Sequence, residues 1–261
     1  SRRACERLIR HVLGADISPE QTARMIELSA GNPFFLEELM QAFSSGQQDA
    51  AHKTIIAMLQ ARIGRLDAGP RRALSAASIY GPQAQRSALL ALLGARPSDT
   101  SIDLDLSALV QAELIELQPV RPLLSGSAAP AIDDRVYSFR SPLLRQAAYE
   151  LLSVNALLVG HRLAARFLER SGSADPLRLA EHFQQGREPE KAGQYFLRAA
   201  VQRARESMPN GADALFDQAN QQLAGLPDGP AKQRLLIDIL LYRVRFGLRS
   251  SRQEENLACL D

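Results

Sequence analysis

Apolar side chains recur at three- and four-residue steps through almost the whole chain, and this constrains the fold more than any other feature. The period falls to two in only two places. Residues 115–120 (Ile-Glu-Leu-Gln-Pro-Val) and 136–140 (Val-Tyr-Ser-Phe-Arg) alternate apolar and polar side chains. A period near 3.6 puts one face of a helix against a core, and a period of two does the same for a strand. The chain is therefore expected to be mainly α, with one two-stranded hairpin. The 122–134 stretch between the strands, rich in proline, alanine and serine, reads as a loop.

Punctuation divides the helical pattern. A first helix is expected over about 3–13. Ser18-Pro19-Glu20-Gln21 opens a second, with Ser18 as cap, Pro19 at the first helical position and Gln21 completing a capping box. Gly31 ends it, because glycine adopts the left-handed conformation at least cost. Phe34, Leu36, Leu39, Met40 and Phe43 mark a third helix, and 44–49 reads as a polar linker. Near Thr54 a second unit begins, with Ile55, Leu59, Ile63 and Leu66 on one face. Asp67-Ala68-Gly69-Pro70 reads as a turn, and Gly81-Pro82 as a break. Helices are expected over 71–79, 87–93 and 104–114. Beyond the hairpin, Ser141-Pro142 and Asp175-Pro176 each read as a cap followed by a first-position proline. Ala192, Tyr195, Phe196, Ala199 and Ala200 form one packing stripe and Ala212, Leu215, Phe216 and Ala219 another. Three helices followed by a hairpin is the winged-helix order.

Several function classes lose support at this level. The net charge is only +2, giving no strong footprint for nucleic acid or a membrane surface. No apolar run reaches the ~18–20 residues that span a bilayer, and Cys5 and Cys259 form no spaced motif, so a reducing, cytoplasmic setting is expected. A P-loop needs glycine before its lysine; the only lysines, Lys53, Lys191 and Lys232, follow His52, Glu190 and Ala231. Leu235-Leu236-Ile237-Asp238 lies in a helical pattern, not after a strand. His11, His52, His161 and His182 show no metal-ligand spacing, and no Gly-x-Ser-x-Gly elbow occurs. His161 and His182 read as helix-surface or partly packed residues, and Glu37-Glu38 and Glu254-Glu255 as solvated faces. No catalytic or metal-binding residue is expected, and no cofactor for this chain alone.

Residues 31–39 (Gly-Asn-Pro-Phe-Phe-Leu-Glu-Glu-Leu) resemble the glycine-x-proline segment of STAND-type ATPases, signalling NTPases with an AAA-like core. Residues 54–66 resemble the first helix of the winged-helix domain in that family. Residues 137–149 resemble the segment where its wing strand returns into a helix. Residues 179–183 and 191–200 are similar to the start of a TPR-like array. Such regulators join the ATPase to a kinase, a cyclase or a LuxR-type module. The resemblance implies a helical lid over 1–48, a winged-helix domain over 52–152 and TPR-like repeats over 153–261. It also implies that the nucleotide-binding core would precede this chain.

The resemblance assigns roles residue by residue. Pro33 would pack against adenine, with Gly31 and Asn32 bringing the backbone close; the same three residues also read as a plain helix-to-helix turn. Ser141 stands where the family places a phosphate-sensing histidine, and capping alone explains a serine there. A second repeat-like set follows the first by about 20 residues, against the ~34 of a regular array. The implied function is non-catalytic: coupling the nucleotide state (ATP or ADP) of a P-loop core, in cis or in trans, to a sensor. The concave face of that sensor would meet a protein partner or ligand. Two alternatives stand beside it, a DNA-binding winged-helix regulator and a subunit completing an ATPase with a separate core chain. The absence of any basic residue between Ser98 and Val120 argues against DNA.

Overall fold

The computed structural model describes residues 2–14, 17–29, 31–45, 48–96, 98–119, 135–172, 175–206 and 209–247. The expected 122–134 loop, Glu254-Glu255 and Cys259 lie outside them. The chain divides into two compact units, Ser1–Ser153 and Val154–Asp261.

The first unit runs α1 (Arg2–Leu13), α2 (Pro19–Ser29), α3 (Pro33–Ser45), α4 (Gln48–Gly64), α5 (Ala68–Tyr80), β1 (Gln83–Gln85), α6 (Arg86–Leu93), α7 (Ser101–Gln111), β2 (Ile115–Leu117), β3 (Val136–Phe139) and α8 (Pro142–Glu150). Local chemistry sets many of these ends. The Ser18 amide donates to Gln21 Oε1 at 3.0 Å and the Gln21 amide to Ser18 Oγ at 3.1 Å, a reciprocal box that satisfies two otherwise orphaned donors. The stretch expected as a polar linker is partly helical. Ser44 and Ser45 turn their hydroxyls back to the carbonyls of Met40 and Gln41, so α3 continues through Ser45. The helix expected over 104–114 starts earlier, because Asp99 Oδ1 accepts the Ser101 amide at 2.9 Å.

The sheet has three strands, not the expected two. All pairings are antiparallel, in the order β1-β3-β2, with Ala84 opposite Tyr137 and Ile115 opposite Phe139. The added strand, β1, is three residues long, with Ala84 buried between exposed Gln83 and Gln85. Ile55, Ile63, Leu74, Leu89, Leu106, Leu109 and Leu114 fill the core of this unit. Burying a leucine or isoleucine side chain contributes roughly 1.5–3 kcal/mol, so this layer outweighs any surface pair. Tyr80 carries a hydroxyl into it and donates to Ala88 O at 2.9 Å. At the edge, Arg86 grips Asp103 with two bonds of 2.7 and 2.8 Å, and Arg135 adds a third at 3.0 Å.

The second unit holds α9 (Val154–Ser171), α10 (Pro176–Gln185), α11 (Pro189–Arg205), α12 (Pro209–Ala224) and α13 (Pro230–Gly247). Asp175 caps α10 by accepting the Leu177 amide, ahead of Pro176. Leu179, Phe183, Tyr195, Phe196 and Phe216 are all buried. The most extensive helix pairing is α11 on α12, and small residues permit it. A Cβ on Gly193 would sit 3.1 Å from Leu223 Cδ2. Phe183 and Tyr195 stack at 5.4 Å, and the Tyr195 hydroxyl donates to Glu169 Oε1 at 3.0 Å, tying α11 to α9. No single helix among the described residues is long and apolar enough to cross a membrane.

Candidate functional site

The turn between α2 and α3 carries Gly31, Asn32 and Pro33. Gly31 has φ +76°, a left-handed conformation that an L side chain rarely adopts. The Asn32 amide donates to Ser29 O at 2.9 Å, and Asn32 Oδ1 accepts the Phe34 amide at 3.0 Å. Asn32 thus caps α3, with Pro33 at its first position. Gly31 and Pro33 are exposed, and Phe34 beside them is half exposed. An aromatic ring can therefore reach this turn from solvent.

Ser141 is buried at the start of α8. Its Oγ accepts the Leu143 amide at 3.2 Å and donates to Leu28 O at 3.3 Å, in the last turn of α2. The structure thereby brings Ser141 to a carbonyl three residues ahead of Gly31, although the two positions are 110 apart in sequence. Close by in the fold, α2, α3 and α4 enclose a cavity of about 340 Å³. Met25, Leu28, Leu39 and Phe43 line its apolar part, and Gln21, Arg24 and His52 its polar part. His52 Nε2 also meets Gln146 Oε1 of α8 at 3.1 Å. None of Gly31, Asn32, Pro33 or Ser141 lines this cavity.

Two features of the second unit were not read from the sequence. His161 on α9 and His182 on α10 are both buried, with their Nδ1 atoms 2.9 Å apart. This corrects their reading as surface or partly packed residues. One ring must donate and the other accept, so the two cannot both be protonated. Burial pushes His161 down to about 4. Burial, with help from His161 and Arg178, pushes His182 down to about 3. The available signal was placement on the buried stripe: His182 lies between Leu179, Ala180 and Phe183, and His161 precedes Ala164, Ala165 and Leu168. No group of three or more metal-ligating side chains occurs among the described residues.

The other feature is a groove of about 900 Å³ between α11 and α13. Its α11 wall presents Gln194, Leu197, Arg198, Val201, Gln202, Arg205 and Glu206, at the spacing of one helix face. The α13 wall presents Ala231, Arg234, Leu235, Asp238 and Tyr242.

No protein-family model matches this chain, and no curated protein and no solved structure matches it either.

Proposed function

We propose that this chain is the non-catalytic regulatory portion of a STAND-type signalling ATPase, in which the α1–α3 helices act as a lid, residues 52–152 as a winged-helix arm and the second unit as the start of a TPR-like sensor. The observation that carries the reading is the element order α5-β1-α6-α7-β2-β3 with the sheet order β1-β3-β2, which suits a winged helix. Its wing strand runs directly into α8, whose capping Ser141 bonds to the last turn of α2. Lid and arm thus share a contact at the segment that would sense a nucleotide. The buried Leu179, Phe183, Phe196 and Phe216 in successive helical hairpins support the repeat reading.

In the complete regulator, ATP or ADP on a P-loop core, in cis or in trans, would bias lid against arm, and a protein or ligand on the repeats would bias the same equilibrium. The chain supplies packing surfaces and no chemistry of its own. DNA recognition draws little support from α7, the helix in the recognition position. Asp103 is neutralised by Arg86 and Arg135, Leu104 is exposed, and the helix carries no basic residue.

Calorimetry with ATP and ADP, with and without magnesium, tests the proposal. The expected result is no uptake by the chain alone and uptake once a P-loop core is joined to it or mixed with it. Micromolar binding by the chain alone would refute the reading as a partial site. A salt-sensitive shift of random duplex at micromolar protein would move it to the DNA-binding class.

A further inference from the structure

The groove between α11 and α13 has the layout of a peptide seat. Leu197, Val201 and Leu235 form a closely packed floor, each no more than 9% exposed, and Tyr242 extends it. The rim is charged and unevenly so, with the guanidiniums of Arg198, Arg205 and Arg234 against the carboxylates of Glu206 and Asp238. Two of these charges have neutral neighbours and keep their charge. Arg198 lies over the Tyr195 ring at 4.7 Å, and Glu206 accepts from Gln202 at 3.1 Å. Arg205 and Arg234 form no ion pair or side-chain hydrogen bond among the described residues. Asp238 likewise forms none, so two free cations and one free carboxylate border the floor, and cations lead on the rim by three (Arg198, Arg205, Arg234) to two (Glu206, Asp238).

The dimensions select the ligand class. The α11 wall runs from Gln194 to Glu206, roughly 18 Å at 1.5 Å per residue, which seats about twelve residues of helix. At about 900 Å³ the groove is larger than a single side chain needs, and it stands open to solvent. A guanidinium pairs best with a carboxylate, through two parallel bonds.

We infer that this groove docks an acidic amphipathic segment of a partner protein, with the segment's apolar face on Leu197, Val201 and Leu235 and its carboxylates on Arg205 and Arg234. The inference deepens the proposed function, on which it rests, by giving the repeat unit a ligand of stated chemistry. It also places the contact on the second helices of the two hairpins α10–α11 and α12–α13. The rim cations steer association and select against basic segments, while the floor sets residence time. Since helix-in-groove recognition gathers its energy from a few anchors, the segment needs leucine-like residues on one face and glutamates flanking them.

Fluorescence polarisation on the full chain tests this with three labelled 14-residue peptides: a leucine–glutamate amphipathic helix, the same peptide with lysine for glutamate, and the same peptide with serine for leucine. The acidic amphipathic peptide is expected to bind at least tenfold more tightly than either control. The double variant Arg205→Glu/Arg234→Glu, whose circular dichroism should match the wild type because both side chains are exposed, is expected to lose at least tenfold and to gain affinity for the lysine peptide. Equal binding of the acidic and basic peptides, or no effect of the double variant, overturns the inference. So does absence of binding at millimolar peptide. Tighter, arginine-dependent binding of a DNA duplex would assign the cations to nucleic acid instead. A failure confined to the peptides leaves the nucleotide-coupling reading standing, because that reading is tested by the uptake of ATP and ADP.

Discussion

His161 and His182 face each other across the α9–α10 hairpin with their Nδ1 atoms 2.9 Å apart, and each ring is almost wholly buried. A doubly protonated pair could not make this bond, since two N–H groups would face each other, and burial opposes a charge on either ring. Folding therefore lowers both proton affinities, and the unfolded chain, with ordinary imidazoles near 6.5, takes up protons first. The stabilisation is present above pH 6.5 and is lost as pH falls toward about 4.

Each imidazole contributes a slope of about 1.4 kcal/mol per pH unit in that window. Thermal melts between pH 7.5 and 4.5 are expected to show a falling Tm for the wild type. The double variant His161→Leu/His182→Leu should show a markedly flatter profile, whatever its stability at pH 7.5. Parallel profiles would mean that neither histidine is held neutral by folding.

Asp103 supports a second pH-dependent prediction, at lower pH. Its bonds to Arg86, with help from the charge of Arg135, hold its carboxyl below the usual carboxylate range, against some desolvation. A lowered carboxyl contributes stability above its unfolded value of 3.8, lost as pH falls below that point. Asp103→Asn is expected to cost about 2 kcal/mol at neutral pH, between the values for exposed and buried ion pairs, since both partners are only partly exposed. Chemical denaturation at pH 7 and pH 3 checks it, with the deficit shrinking at pH 3. A cost that is the same at both values would count against an ionic origin.

These two clusters also explain what the sequence made legible. The caps at Ser18, Ser141 and Asp175 were readable because each is satisfied within three residues along the chain. The apolar stripes through Phe183, Phe196 and Phe216 were readable because helical period alone puts them on one face. Strand β1 was not, because three residues cannot display an alternation and its pairing partner Tyr137 lies more than fifty residues away. The histidine pair was missed for the same kind of reason, since two helices must pack before 161 meets 182. Of the residues proposed from the turn and the wing, Gly31 and Asn32 were readable as turn chemistry. The bond from Ser141 to Leu28 exists only in the folded unit.

That bond makes its own prediction. Ser141→Ala removes both the α8 cap and the link to the last turn of α2, and is expected to cost about 1–2 kcal/mol. Ser141→Asp keeps a cap acceptor but replaces the donor to Leu28 O with a negative charge. Amide hydrogen exchange over residues 26–34 should then rise in both variants, and more in Ser141→Asp. Unchanged exchange there would show that the link does not hold the α2–α3 turn.

Gly193 offers a packing test of the α11–α12 contact. A Cβ at this position would lie 3.1 Å from Leu223 Cδ2 and 3.3 Å from Leu223 Cγ, and Leu223 is fully buried. Alanine gains about 1 kcal/mol of helix propensity over glycine, which offsets the crowding, so Gly193→Ala should stay within about 1 kcal/mol of the wild type. Gly193→Val adds two methyl groups to the same space and should cost about 1–3 kcal/mol. Leu223→Ala alone opens a cavity and should cost about 2–5 kcal/mol. In the double variant Gly193→Val/Leu223→Ala the valine fills part of that cavity, so the two costs should fall short of additivity by about 1 kcal/mol or more. Denaturant melts of the four proteins close the cycle, and strictly additive costs would mean that α11 and α12 do not meet at these two residues.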